Sequence, residues 1–174
     1  MEKDFKSFNL VGKYSGNDGN AAGERGTVSK YVITGSDGKG LVVEITDPQD
    51  NLSVKALIPR VKSGDDDAIR QIAPIIHKYN SLASAMLLFK TGDYGDGWLA
   101  LGEYYDKQSM EKDAFKGYKK AAQYGHPCGM CKLGRYYAEG KGCKKDRKKA
   151  KQMLKEAAQV CPDAEKYLDQ YGLR

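Results

Sequence analysis

Two histidines and four cysteines are the side chains of this 174-residue sequence best suited to nucleophilic or metal chemistry. His77 and His126 are far apart and fall in different predicted helical pairs, whereas a nucleophile–base pair needs one of them within hydrogen-bond reach of a Ser or Cys. His126 precedes Pro127 and Cys128, which reads as an exposed turn residue rather than a general base. Cys128-x-x-Cys131 invites a zinc or redox reading, with Cys143 and Cys161 as further ligands. The spacings of 12 and 18 residues to those later cysteines do not match a paired CxxC site, and the first two thiols fall inside a predicted helix. Buried or ordinary thiols are the better account. Asp65-Asp66-Asp67 has the charge for a divalent cation but no second carboxylate cluster to complete the shell. Gly35 to Gly40 fails as a phosphate loop, because Leu41 and Val42 follow it and no helix opens there. Asn51-Leu52-Ser53 is a glycosylation sequon by pattern alone. The expectation is a protein without catalytic residues, metal or cofactor.

Composition and charge narrow the remaining classes. With 40% hydrophobic and 30% charged residues and a mean hydropathy of −0.66, the apolar residues must be placed periodically to make a core. No run approaches the length of a membrane span, and the start resembles neither a secretory signal nor a transit peptide, so a cytoplasmic address with reduced thiols is expected. The net charge of +6 is concentrated: residues 107–156 carry 15 Lys or Arg against 5 Asp or Glu, while both flanks are net acidic. Such a region suits an acidic partner, although lysine-rich helix surfaces also serve hydration.

The elements that would position these residues change period along the chain. Gly supplies 8 of the 29 residues from Gly12 to Gly40, and the first sixty residues show no helical stripe. The pattern predicts strands over Thr27–Thr34, over Leu41–Thr46 with Leu41, Val43 and Ile45 on one face, and over Leu52–Ile58 with Leu52, Val54, Ala56 and Ile58 alternating. Gly35–Gly40 and Asp47–Asn51 read as the connecting turns of an antiparallel meander. Gly12–Gly26 reads as a polar mobile segment, with Phe5, Phe8, Leu10 and Val11 pinned to the sheet. From Ser63 the period becomes about 3.6. Asp65–Asp67 is placed to cap a helix bearing Ile69, Ile72, Ala73 and Ile76, which Pro74 should kink or shorten. Helices follow at about 80–91, 96–108, 110–124, 127–139, 146–159 and 163–171, with Gly92, Gly125, Gly140 and Gly172 as C-terminal caps and Pro127 and Pro162 in first turns.

An internal repeat organises the second half. Trp98-x-x-Leu101-Gly102-x-x-Tyr105 returns 32 residues later as Met130-x-x-Leu133-Gly134-x-x-Tyr137, and Ala114, Ala121 and Ala122 return 36 residues later as Ala150, Ala157 and Ala158. Weaker copies flank these two, with Ile69 to Ile76 upstream and Ala164, Tyr167, Leu168 and Tyr171 downstream. Helical hairpins of this length bury their faces by stacking on neighbours. Residues 133–159 resemble a Sel-one-like repeat, a relative of the tetratricopeptide repeat, through Leu133-Gly134, Tyr137, Gly140-x-Gly142, Asp146, Lys149-Ala150 and Ala157-Ala158. The preceding copy lacks the Gly-x-Gly loop and is closer to a plain tetratricopeptide hairpin. The resemblance covers roughly 96–171 well and 65–95 loosely, and it says nothing about 1–62. It implies an α-solenoid that binds proteins or peptides without catalysis.

The resemblance also places the first helix of each hairpin on a concave surface, with Asp96, Leu99, Glu103, Lys132 and Arg135 lining it. Tyr104 and Tyr136, beside the packing tyrosines, are candidate exposed contacts. A second feature comes from charge alone: Lys116, Lys119, Lys120, Lys144, Lys145, Arg147, Lys148, Lys149, Lys151 and Lys155 would form a basic ridge on adjacent helices. Such a ridge could meet an acidic protein face or neutralise phosphates, but the run Lys144–Lys149 circles its helix turn instead of forming one stripe with aromatic residues interleaved. The expected fold is α+β: a small antiparallel β-meander over 1–62, packed on the first hairpin of an α-solenoid of helical hairpin repeats over 63–174. The expected function is a protein–protein interaction module, with nucleic-acid or polyanion binding as the alternative and no membrane partner.

Overall fold

The computed structural model describes residues 8–16, 28–35 and 40–174, whose contacts divide into two compact units, 1–92 and 93–174. The first unit opens with an antiparallel three-stranded meander of β1 (Phe8–Gly16), β2 (Val28–Gly35) and β3 (Gly40–Ile45), in that spatial order. Tyr31 opposes Val43 and Ile33 opposes Leu41, so the alternation read from sequence puts Tyr31, Ile33, Val43 and Ile45 into the core. In β1, Val11 opposes Val32 and Lys13 opposes Tyr31, which leaves Gly12 as the extra residue of a bulge. Part of the segment expected to be mobile, Gly12 to Gly16, is therefore strand. Phe5, the stretch 17–27 and residues 36–39, where a turn is expected, lie outside the described residues.

The strand expected over Leu52–Ile58 is instead part of a helix, α1 (Pro48–Lys62). Asp47 decides this locally: its carboxylate accepts the backbone N–H groups of Gln49 and Asp50, each at 2.9 Å, and Pro48 occupies the first turn. The inward positions are Asn51, Val54, Ile58 and Val61, a helical spacing, while Leu52 is 62% exposed. Apolar alternation over seven residues was thus a coincidence that the cap overrode. A buried polar chain joins the helix to the sheet, in which the Tyr31 hydroxyl donates to Asn51 Oδ1 and Asn51 Nδ2 donates to Ser29 Oγ at 2.5 Å.

Two further helices, α2 (Asp66–Tyr79) and α3 (Ser81–Lys90), complete the first unit. Asp65 caps α2 by accepting the Ala68 N–H at 3.1 Å, which is the ordinary use of the acidic triplet, and Asn80 caps α3. Pro74 is accommodated within α2, which continues to Tyr79. Ile69, Ile72, Ala73 and Ile76 pack with Tyr31, Ile33, Val43, Ile45 and Val54 in one core. The boundary expected near residue 62 falls between α1 and α2 inside this unit, because the apolar stripe of α2 supplies part of the core that the sheet faces.

The second unit is made of α4 (Tyr94–Lys107), α5 (Glu111–Gln123), α6 (Pro127–Glu139), α7 (Arg147–Ala157) and α8 (Pro162–Gln170). Each helix packs on the next, and α4 also meets α6 as α6 meets α8, so successive hairpins stack through their first helices. The repeated small residues sit at the crossings. A Cβ on Gly102 would lie 2.8 Å from the Tyr118 ring, and one on Gly134 would lie 2.8 Å from Leu154 Cγ. Tyr118 and Leu154 are themselves 36 residues apart, the spacing of the repeated alanines, so the two copies use equivalent contacts. Ala114, Ala121, Ala150 and Ala157, the repeated alanines, are fully buried. No helix among the described residues is long and apolar enough to cross a membrane.

Candidate functional site

Most of the surface residues expected on α4 and α6, the first helices of the hairpins, are engaged within this unit. Asp96 on α4 faces His126, whose Nε2 lies 2.9 Å from Asp96 Oδ1. Because His126 Nδ1 accepts the Gly129 N–H, Nε2 carries the proton and donates to the carboxylate. The turn histidine is therefore a helix cap with a carboxylate partner and is mostly buried, not the exposed residue expected. Glu103 and Lys132 pair at 3.9 Å, and Leu99 packs with the aromatic core between α5 and α6. Tyr104 is half-buried, with its ring edge-on to Tyr105 at 5.5 Å.

Tyr136 is not the exposed contact expected from its neighbours: it is fully buried, its ring meeting Tyr118 edge-on at 5.1 Å and its hydroxyl donating to Asp106 Oδ1 at 2.7 Å. The other oxygen of Asp106 accepts from Arg135 Nη2 at 2.7 Å and from the Tyr118 hydroxyl at 3.2 Å. This hub ties α4, α5 and α6. Burial opposes ionisation of Asp106, but the hydrogen bonds from Tyr136, Arg135 and Tyr118 and the nearby guanidinium outweigh it and hold the carboxyl below the usual carboxylate range. The same desolvation, together with the Asp106 charge, raises both tyrosine hydroxyls. Sequence reasoning missed Asp106 because it is not part of the repeat: its counterpart 32 residues on is Ala138.

The basic residues separate into groups. Arg147 Nη2 donates to the carbonyls of Tyr171 and Gly172, and Lys151 Nζ to that of Arg174, so these two hold the segment that follows α8. Lys116 pairs with Asp113 on its own helix at 2.9 Å. Lys120, Lys148 and Lys155 are exposed. The remaining four converge: Lys119 from α5, Lys144 and Lys145 from the loop after α6, and Lys149 from α7 surround one cleft of about 430 Å³. Phe115 and Tyr137 line the same cleft, their rings edge-to-face at 5.4 Å, with Lys149 Nζ 5.5 Å from the Tyr137 centroid.

The loop that presents Lys144 and Lys145 is set by its glycines. Gly140 ends α6 with φ of 79°, and Gly142 has φ of 62° with so little room that a Cβ would stand 2.3 Å from the Glu111 carbonyl oxygen. Asp146 then caps α7, accepting the Lys149 N–H at 3.0 Å and pairing with Lys149 Nζ at 3.5 Å. Lys119, Lys144 and Lys145 make no ion pair among the described residues, which leaves the cleft with excess positive charge. Cys143 also lines it, half-buried, its thiol directed at the Tyr136 carbonyl at 3.7 Å and raised by burial.

The other three cysteines gather where α6 meets α8. Cys131 and Cys161 are buried and Cys128 half-buried in one apolar cluster. Burial and the neighbouring Cys161 thiol push Cys128 up to about 11 and Cys131 up to about 12, so both are protonated at neutral pH. No group of three His, Cys, Asp or Glu side chains placed to hold a metal ion occurs among the described residues. No family model matches this sequence, and no curated protein matches it significantly.

Proposed function

We propose that this protein is a Sel-one-like member of the tetratricopeptide-related repeats and works as a non-enzymatic protein–protein interaction module, an adaptor or regulatory binder for an acidic partner. The observation that carries the reading is the equivalence of the two hairpins. Gly102 against Tyr118 and Gly134 against Leu154 are the same contact repeated, a construction that builds surface by stacking. What recommends an acidic partner is the excess of lysines left without counter-ions at the exposed face of α5 and α7. The residues of α4 and α6 named from the resemblance retain a role in this reading through Asp96, Leu99, Glu103, Tyr104, Lys132 and Arg135, while buried Tyr136 does not.

A second reading, nucleic-acid or polyanion binding, is favoured by one observation: Phe115 and Tyr137 stand among Lys119, Lys144, Lys145 and Lys149, the interleaving of aromatic and basic groups that single strands use. Titration of fluorescent acidic peptides and of single- and double-stranded DNA and RNA, at 50 mM salt and upward, separates the two. The first reading expects peptide binding and no nucleic-acid binding at the lowest salt. Micromolar nucleic-acid affinity that falls steeply with salt would replace it with the second.

A further inference from the structure

We propose that the cleft over Phe115 and Tyr137 is a binding site for a small phosphorylated aromatic molecule of the nucleoside-phosphate class. The inference goes beyond the partner-binding reading, because it concerns what the cleft itself holds, although the same lysines supply part of the charge that recommends an acidic partner. Three features carry it. The first is size: about 430 Å³ lies within the range of small-molecule sites. The second is charge, because Lys119, Lys144 and Lys145 converge from two directions without acidic partners, and ammonium groups clustered in this way suit the several charges of a polyphosphate. Asp146, the one carboxylate in the lining, is already engaged by the N–H and the Nζ of Lys149.

The third feature is the wall. Phe115 and Tyr137 are half-buried, held edge-to-face, and form an apolar surface beside the lysines, against which a flat heterocycle can lie. The loop carrying Lys144 and Lys145 is fixed by Gly142 against the Glu111 carbonyl, so two of the charges are presented on a constrained backbone. Cys143 sits inside the same cleft and supplies a native reporter of occupancy.

The test uses the full chain, with adenosine triphosphate, inorganic tripolyphosphate and adenosine as probes. Binding is followed by calorimetry at 50 mM salt, and the rate of Cys143 alkylation is located by peptide mapping. The expected result is that the nucleotide binds and slows Cys143 alkylation, with tripolyphosphate weaker by about five- to a hundredfold, the contribution of base–aromatic stacking. Replacing two exposed lysines together, Lys119→Gln with Lys145→Gln, should weaken the nucleotide by about tenfold or more without lowering the melting temperature. Equal affinity for nucleotide and tripolyphosphate would overturn the aromatic part of the proposal. Unchanged Cys143 reactivity at saturation, or unchanged affinity in the double variant, would overturn the site.

Discussion

Replacing Asp106 by Asn removes one negative charge while keeping the side chain's shape, and the structure fixes what should follow. Asp106 accepts from Arg135, Tyr136 and Tyr118, and its side chain is 29% exposed against 19% for Arg135. Breaking a fully buried ion pair costs about 3–5 kcal/mol, but partial access to water and the retained amide oxygen reduce this to about 1–2 kcal/mol at neutral pH. The pH dependence has a definite sign. The folded-state pKa of Asp106 is depressed, so its stabilisation is present above the unfolded value and is lost as pH falls through the folded one. The gap between wild type and variant should therefore be full above about pH 5 and close in more acidic solution, where a protonated Asp resembles Asn. Urea unfolding followed by the fluorescence of Trp98, the sole tryptophan and a residue of α4, reads this unit directly. Identical midpoints at pH 7, or a gap that persists undiminished at acid pH, would refute the argument that charge-assisted bonds at Asp106 join these three helices.

The remaining predictions concern the loop, the first unit and the thiols. Gly142→Ala combines a left-handed backbone with a backbone collision and should cost about 2–4 kcal/mol; Gly125→Ala, with φ of 75° and nothing within 4 Å, should cost only about 1 kcal/mol, both by thermal melting. Asn51→Ala leaves the Tyr31 hydroxyl and Ser29 without their shared partner and should destabilise the first unit by about 2 kcal/mol, seen as faster amide exchange in β2. Burial and the neighbouring Cys161 thiol raise the Cys128 and Cys131 thiols, so at pH 8 both should alkylate more slowly in the folded protein than in urea, by about tenfold or more, measured by peptide mass.

Much of the fold was legible from local signals. Acidic and amide caps, glycines at positive φ and prolines in first turns are written in neighbouring residues, and so α3 to α8 emerge close to their predicted bounds. The repeat was legible because stacking imposes the same demand twice: small residues at Gly102 and Gly134, and buried alanines at Ala114 and Ala121 in one copy and Ala150 and Ala157 in the next. Leu52–Ile58 misled because a short apolar alternation satisfies a strand and one helix face alike, and only the Asp47 cap and the core facing Asn51 and Val54 choose between them.

By itself the sequence determined that the second half is stacked helical hairpins and that positive charge gathers in residues 107–156, since period and composition are properties of the chain. Tertiary structure alone decided which lysines face one cleft and which hold the segment after α8, and it reversed the tyrosines, burying Tyr136 on Asp106 while leaving Tyr137 at the cleft. Adjacent residues on a helix point about 100° apart, so one step in sequence separates core from surface, and the direction is set by the neighbouring helices.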